Sequence, residues 1–191
     1  YTLSDTLSLH DALPISREGT TVTLSFGPSP GCTVGDLTLT GTVIVSLTKQ
    51  GSVTTASLTF TDVTVDGVPL SGSAVFTTTD GSTFDVALTL TKDARTLTAQ
   101  LRVVGAAGSF TVDGSASVSS GGVTTSLRIT QLHYTEGDCY PDGGTVTVTQ
   151  GRVSQVITFS AETADTGVVT VTTGRRTTTD TLPAYGSCPA A

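Results

Sequence analysis

The stretch FDVALTLTKDARTLTAQLRV, residues 84–103, decides the fold class of this chain. On either side of Asp93, an apolar side chain occupies every second position, and most of the positions between are polar. Because successive side chains of a β-strand point to opposite faces, each half of the stretch predicts a strand with one apolar face. The same period of two recurs along most of the chain, and no window sustains the 3.6-residue period of a helix.

Turn signals separate the alternating runs at intervals of about ten residues. Asp66-Gly67, Asp80-Gly81 and Gly121-Gly122 predict two-residue hairpins, because type I′ turns need positive φ at both central positions. Gln50-Gly51 and Gln150-Gly151 mark similar turns. The chain is therefore predicted to be all-β, an antiparallel meander of about twelve strands. Since no helix covers its apolar face, we expect a rolled, barrel-like sheet or a two-layer sandwich.

Two of the predicted strands lose their alternation part-way along. The slips separate Leu58 and Phe60 from Val63 and Val65, and Leu127 and Ile129 from Leu132 and Tyr134. One extra residue near Asp62 and one near Gln131 would bring the apolar residues back to a common face. An extra residue of this kind is a β-bulge, so we predict one bulge in each strand.

The order of these motifs is repeated, which predicts an internal duplication. Residues 37–45 align with 110–118, 57–67 with 126–137, and 68–76 with 140–148. Copy one would span residues 37–104 and copy two residues 110–173, with five strands in each. A glycine recurs in mid-strand at Gly41, Gly72, Gly114 and Gly144. Glycine inside a strand marks a bend, and we expect these bends at equivalent places in the two copies.

The chain of 191 residues is predicted to form a single all-β domain over residues 17–191. Residues 1–16, YTLSDTLSLHDALPIS, resemble the translation of a short-read sequencing adapter. We therefore expect them to be no native part of the domain. We also expect an N-terminal targeting signal to be missing from this fragment.

Charge and composition indicate the compartment. A net charge of −7 argues against a nucleic-acid partner, because phosphate binding needs clustered cations. Few lysines, no asparagine and abundant threonine are typical of proteins exported by GC-rich bacteria. The closing stretch, from CYPDGGTVTV at residues 139–148 to LPAYGSCP at 182–189, is similar to the ends of uncharacterised secreted or lipoprotein-like bacterial β proteins. This resemblance implies an extracytoplasmic location: the periplasm, an outer-membrane lipoprotein or a secreted protein.

The three cysteines, Cys32, Cys139 and Cys188, are spaced too widely for a zinc site. Counting strand directions along the meander places Cys139 and Cys188 at one end of the sheet and Cys32 at the other. We therefore predict a disulfide between Cys139 and Cys188, with Cys32 left outside it. Such a bond would persist in an oxidising compartment.

The stretch HYTEGDCYPDGG, residues 133–144, contains the candidate chemistry. His133 could act as a general base oriented by an acidic neighbour, although no nucleophile motif accompanies it. The alternative is a solvent-facing histidine at the end of a strand. Glu136, Asp138 and Asp142 have the oxygen ligands of a calcium loop, although their spacing differs from that of an EF-hand. The alternative for these three residues is ordinary turn chemistry. No other cofactor is predicted.

These observations predict a non-enzymatic extracytoplasmic envelope protein, acting as a structural or surface-interaction module whose partner is unknown. The alternative is a carrier of an apolar ligand or lipid inside the rolled sheet. A hydrolase around His133, an ice-binding protein and an outer-membrane barrel rank lower. An apolar cavity of several hundred Å3 inside the sheet would favour the carrier, and a closed core would favour the module.

Overall fold

A computed structural model describes residues 15–34 and 37–183 of the chain. This part contains thirteen strands and one short helix: β1 Ile15–Glu18, β2 Thr21–Val34, β3 Leu37–Gln50, β4 Val53–Val65, β5 Val68–Thr78, β6 Thr83–Lys92, β7 Arg95–Ala106, β8 Ser109–Ser120, β9 Val123–Thr135, β10 Gly143–Gln150, β11 Val153–Phe159, α1 Ala161–Thr166, β12 Val168–Thr173 and β13 Arg176–Thr181. The prediction of an all-β meander is confirmed.

All thirteen strands lie in one antiparallel sheet in chain order. Each strand from β2 to β12 pairs with the strands immediately before and after it, as expected for a chain of hairpins. Within the described residues the sheet is not closed on itself, and β1 and β13 form its two edges. An open meander of this kind is consistent with both predicted arrangements, a rolled sheet and a sandwich.

The strand register collects the apolar side chains on one face of the sheet. One row runs across the strands through Val45, Leu58, Ala74, Leu88, Ala99, Ala116, Leu127 and Val148. We call this side the apolar face, and the buried core residues Val43, Val86 and Leu132 belong to it. Most of its other side chains are only half-buried.

The alternate residues form the opposite side, which we call the hydroxyl-rich face. One of its rows runs through Thr89, Thr98, Ser117, Ser126 and Thr149. The hydroxyls of Thr98 and Ser117 are 2.7 Å apart, so neighbouring strands are joined by side-chain as well as main-chain hydrogen bonds. Such cross-strand pairs are a normal source of sheet stability.

Both predicted bulges are confirmed. Asp62 and Gln131 are among the few non-glycine residues with positive φ, at 51° and 47°. The strand register shifts beside each of them. Beyond the bulge in β4, Val65 pairs with Leu39, so the apolar side chains have returned to the apolar face.

The four mid-strand glycines all lie against the backbone of a neighbouring strand, where a β-carbon would collide with it. They fall into two pairs with different surroundings. Gly41 and Gly144, with φ of 86° and 95°, lie against the two bulges. Gly72 and Gly114, with φ of 137° and 141°, lie against the regular strands β6 and β7. The sequence alignment of the two copies matches Gly41 with Gly114 and Gly72 with Gly144 instead.

The number of strands in each copy explains this difference. Residues 37–106 form five strands, β3 to β7, and residues 109–173 form five more, β8 to β12. Because five is odd, the second copy starts with a strand that runs opposite to the first strand of copy one. When the apolar residues stay on the same face, a strand that runs the other way has its left and right neighbours exchanged. The bulge of β4 therefore lies against the preceding strand, and the bulge of β9 lies against the following one. In the surroundings of their glycines, β3 therefore resembles β10, and β5 resembles β8. The internal duplication stays a prediction.

The turns follow the predicted chemistry at two of the three glycine-containing pairs. Asp66-Gly67 has φ of 54° and 75°, and Gly121-Gly122 has 56° and 79°, as type I′ turns require. The prediction for Asp80-Gly81 is wrong, because residues 79–82 form a longer loop between β5 and β6. The Asp80 carboxylate accepts hydrogen bonds from the backbone N–H groups of Thr83 and Ser82, at 2.7 and 2.8 Å. These bonds lower the pKa of Asp80 to about 2.

The stretch predicted to be non-native lies mostly outside the described residues. Its last two residues, Ile15 and Ser16, belong to β1 and pair with Leu24 and Thr23 of β2. All four residues of β1 are exposed. In the described part of the chain, no helix is long and apolar enough to cross a membrane.

Candidate functional site

His133 and Asp142 meet where β9 leaves the sheet. His133 Nδ1 and Asp142 Oδ1 are 2.5 Å apart, and the Asp142 backbone N–H donates to the His133 carbonyl at 3.0 Å. The Thr135 hydroxyl donates to the other carboxylate oxygen, Oδ2, at 2.7 Å. Asp142 thus holds the loop after β9 against the strand through both its backbone and its side chain.

The surroundings of Asp142 favour its charged form. The hydrogen bond from Thr135 is the largest cause that lowers the pKa of Asp142, and the bond and charge of His133 act in the same direction. Partial burial opposes them. The His133 side chain is 39% exposed and that of Asp142 is 20% exposed, so the pair lies at the surface of the hydroxyl-rich face.

The acidic side chain that contacts His133 is therefore that of Asp142. Asp138 lies in the turn after β9, where its backbone N–H donates to the Thr135 carbonyl at 3.1 Å. In a catalytic triad an aspartate orients the histidine that acts as general base, as Asp142 could orient His133. Such a triad also needs a nucleophile beside the imidazole. The Thr135 hydroxyl donates its hydrogen bond to the Asp142 carboxylate. The hydrogen bond that the structure shows for the His133 imidazole is the one to Asp142.

The three acidic residues of the predicted calcium loop lie in the segment between β9 and β10. Glu136, Asp138 and Asp142 follow β9 closely in sequence, but the Asp142 carboxylate is directed to His133 and Thr135. Among the described residues, no group of three His, Cys, Asp or Glu side chains is placed to hold a metal ion. The calcium loop stays a prediction, since that ion takes six to eight oxygen ligands and backbone carbonyls can supply some of them.

Two of the three cysteines, Cys32 and Cys139, lie among the described residues. Cys32 is a free thiol on the apolar face and is 4% exposed. Cys139 lies in the loop between β9 and β10. Cys188 falls outside the described residues, so the Cys139–Cys188 disulfide stays a prediction.

Three adjoining concavities lie on the hydroxyl-rich face between β5 and β10, with volumes of about 410, 680 and 240 Å3. Their polar lining includes Asp85, Gln100, Arg102, Asp113, Ser115 and Arg128. Gln100, Ser115 and Arg128 lie side by side in one row across β7, β8 and β9. Each of these residues alternates with apolar residues along its own strand, and the strand register brings the three together.

The charges in this region are partly engaged with each other. Arg102 Nη1 lies 3.4 Å from Asp85 Oδ1, and both side chains are more than half exposed. Asp113 accepts the Gln131 backbone N–H at 2.8 Å, beside the bulge of β9. An exposed pair such as Arg102–Asp85 contributes little to stability.

A fourth concavity, of about 560 Å3, lies on the apolar face next to the loop after β9. Its lining includes Phe110, Leu132, Tyr134, Tyr140, Phe159 and Pro183. The rings of Phe110 and Tyr134 stack with their centroids 4.9 Å apart. The Tyr140 hydroxyl donates to the Pro183 carbonyl at 3.1 Å and ties the loop to the end of the described chain.

Comparison with known proteins adds no relative. No protein-family model matches the chain, and neither a curated protein nor a solved structure matches it.

Proposed function

We propose that this protein is a non-enzymatic, extracytoplasmic module of the cell envelope, and that its hydroxyl-rich face binds a neutral polysaccharide. The observation that carries the proposal is the set of three adjoining concavities on that face, which together span β5 to β10. A long polar polymer can lie across several strands at once. Weak contacts that are repeated along such a polymer combine into useful affinity.

The side chains of this face match the hydrogen bonding of a sugar. Ser115 and Thr147 have hydroxyls that both donate and accept, and Gln100 offers an amide with both functions. Arg102 and Arg128 add fixed arrays of donors. Because the chain has a net charge of −7, a neutral polymer is favoured over an anionic one.

A binding experiment with insoluble cellulose tests this proposal. Ser115 is exposed at the centre of the row between Gln100 and Arg128, so Ser115→Arg would fill the concavities. Ser73 is also exposed on the same face, in β5, and neither it nor its cross-strand partners Thr59 and Thr89 line the concavities, so Ser73→Arg makes a matched control. We expect cosedimentation of the wild-type protein, at least about a five-fold loss for Ser115→Arg, and no loss for Ser73→Arg. Absence of wild-type binding, or equal loss in both variants, would contradict the proposal.

The apolar concavity of about 560 Å3 favours a second candidate, a carrier of an apolar ligand. Its size falls within the usual range for small-molecule sites, and Phe110 in its lining is 42% exposed. Native mass spectrometry of the purified protein separates the two candidates. A lipid that copurifies in stoichiometric amount, and that is lost in Phe110→Ser, would favour the carrier.

A further inference from the structure

The last strand of the sheet presents an open edge. All six residues of β13, Arg176–Thr181, are exposed. In the described part of the chain, β12 is the only strand that pairs with β13. Open edges of this kind pair readily with other strands unless their side chains prevent it.

The hairpin register shows which main-chain groups point outward. β12 and β13 are joined by the two residues Gly174 and Arg175, so Thr173 and Arg176 flank a two-residue turn and exchange hydrogen bonds. Because this pattern alternates, Arg176 and every second residue after it bond to β12. Thr177 and Thr179 therefore direct their N–H and C=O groups to the open edge.

We propose that two copies of this chain pair through β13, antiparallel, about a twofold axis at Thr178. In this register Thr177 lies opposite Thr179 of the second copy, and the two residues exchange both main-chain hydrogen bonds. The twofold axis repeats these bonds, so four are formed in all. Arg176 then lies opposite Asp180 of the second copy, also twice.

Charge complementarity selects this register among those that the hydrogen bonds allow. A shift of the axis to Thr177 places Arg176 opposite Thr178, and a shift to Thr179 places Asp180 opposite Thr178. Only the axis at Thr178 brings opposite charges together. These pairs occupy the non-hydrogen-bonded positions, where facing side chains come closest. Charges on an edge usually discourage pairing. Here the positive charge of each copy faces the negative charge of the other.

An edge of six residues buries less surface than a standard interface, so we expect a weak dimer that dissociates in the micromolar range or above. Sedimentation velocity of the full chain, up to about 1 mM, measures it. Arg176→Asp and Asp180→Arg should each be monomeric, because each places like charges opposite each other. An equimolar mixture of the two variants should recover the dimer, since the new aspartate of one variant then faces the new arginine of the other. Arg152→Asp, an exposed charge reversal in the turn before β11, should dimerise like the wild type.

A second variant tests the main chain. Thr179→Pro removes an N–H that points to the open edge and leaves the bonds to β12 intact, so it should weaken dimerisation at least about ten-fold. Circular dichroism would confirm that the variants stay folded. A monomeric wild type at the highest concentration, single charge variants that still dimerise, or larger head-to-tail oligomers would overturn the proposal.

Discussion

The carbonyl of Asp62 lies directly against Gly41, so that no side chain fits at this position of β3. Asp62 is the bulged residue of β4, with φ of 51°, and Gly41 has φ of 86°. The bulge brings the backbone of one strand over the other, and glycine is the residue that permits this approach. Gly144 and Gln131 form the same relationship between β10 and β9.

Gly41→Ala is expected to destabilise the protein by about 3 kcal/mol, because the strain of a positive φ adds to the collision with the Asp62 carbonyl. Gly174→Ala is the matched control, since Gly174 has φ of 60° but a β-carbon at this position would have no neighbouring atom within 4 Å. It should cost only about 1 kcal/mol. Urea denaturation followed by circular dichroism measures both. Equal losses would show that the close contact between β3 and β4 has no energetic weight.

Gln131 offers the complementary test at a bulge. It is exposed and holds φ of 47°, a conformation that asparagine tolerates and β-branched residues resist. Gln131→Asn is expected to leave the stability unchanged or raise it by about 0.5 kcal/mol, and Gln131→Val to lower it by about 1–2 kcal/mol. Thermal denaturation of the two variants decides. A valine variant as stable as the asparagine variant would contradict the left-handed conformation.

Asp142 makes the stability depend on pH in the acid range. Its folded-state pKa is lowered from the ordinary value of 3.8, so its contribution is fully present above pH 3.8 and is lost as the pH falls through the lower folded value. Asp142→Asn should therefore be less stable than the wild type by about 1–2 kcal/mol at pH 7, with a difference that shrinks in acid. Denaturation at pH 7, 4 and 2.5 measures it, with Asp138→Asn as control. A difference that stays constant with pH would refute the role of the Asp142 charge.

The Cys139–Cys188 disulfide is expected to close a loop of about 50 residues and to stabilise the chain by roughly 4 kcal/mol in the chain-entropy model. Non-reducing peptide mapping should find these two cysteines in one fragment pair. Cys32 is buried, so it should react slowly with thiol reagents in the folded protein. A mapped bond that contains Cys32 would contradict both the pairing and the count of strand directions behind it.

The candidate site was less predictable than the strands. The sequence placed His133 among acidic residues, but it could not tell that Asp142 rather than Asp138 would reach the imidazole. That choice depends on how the loop after β9 returns to the sheet. The short helix α1 was missed because its six residues, AETADT, show no helical periodicity. The fully buried Thr163 secures it by donating to the Val168 carbonyl at 2.7 Å.

The local pattern by itself determined the strands, the two faces and the bulges at Asp62 and Gln131, because side-chain direction alternates along any extended backbone. Only the tertiary structure decided which strands' residues become neighbours. The row of Gln100, Ser115 and Arg128 and the similar surroundings of Gly41 and Gly144 depend on inter-strand register, and the open edge at β13 depends on strand order. In a meander the register depends on the length and geometry of each turn and on the bulges as well as on the hydrophobic pattern, so the alternation within a single strand does not fix it alone.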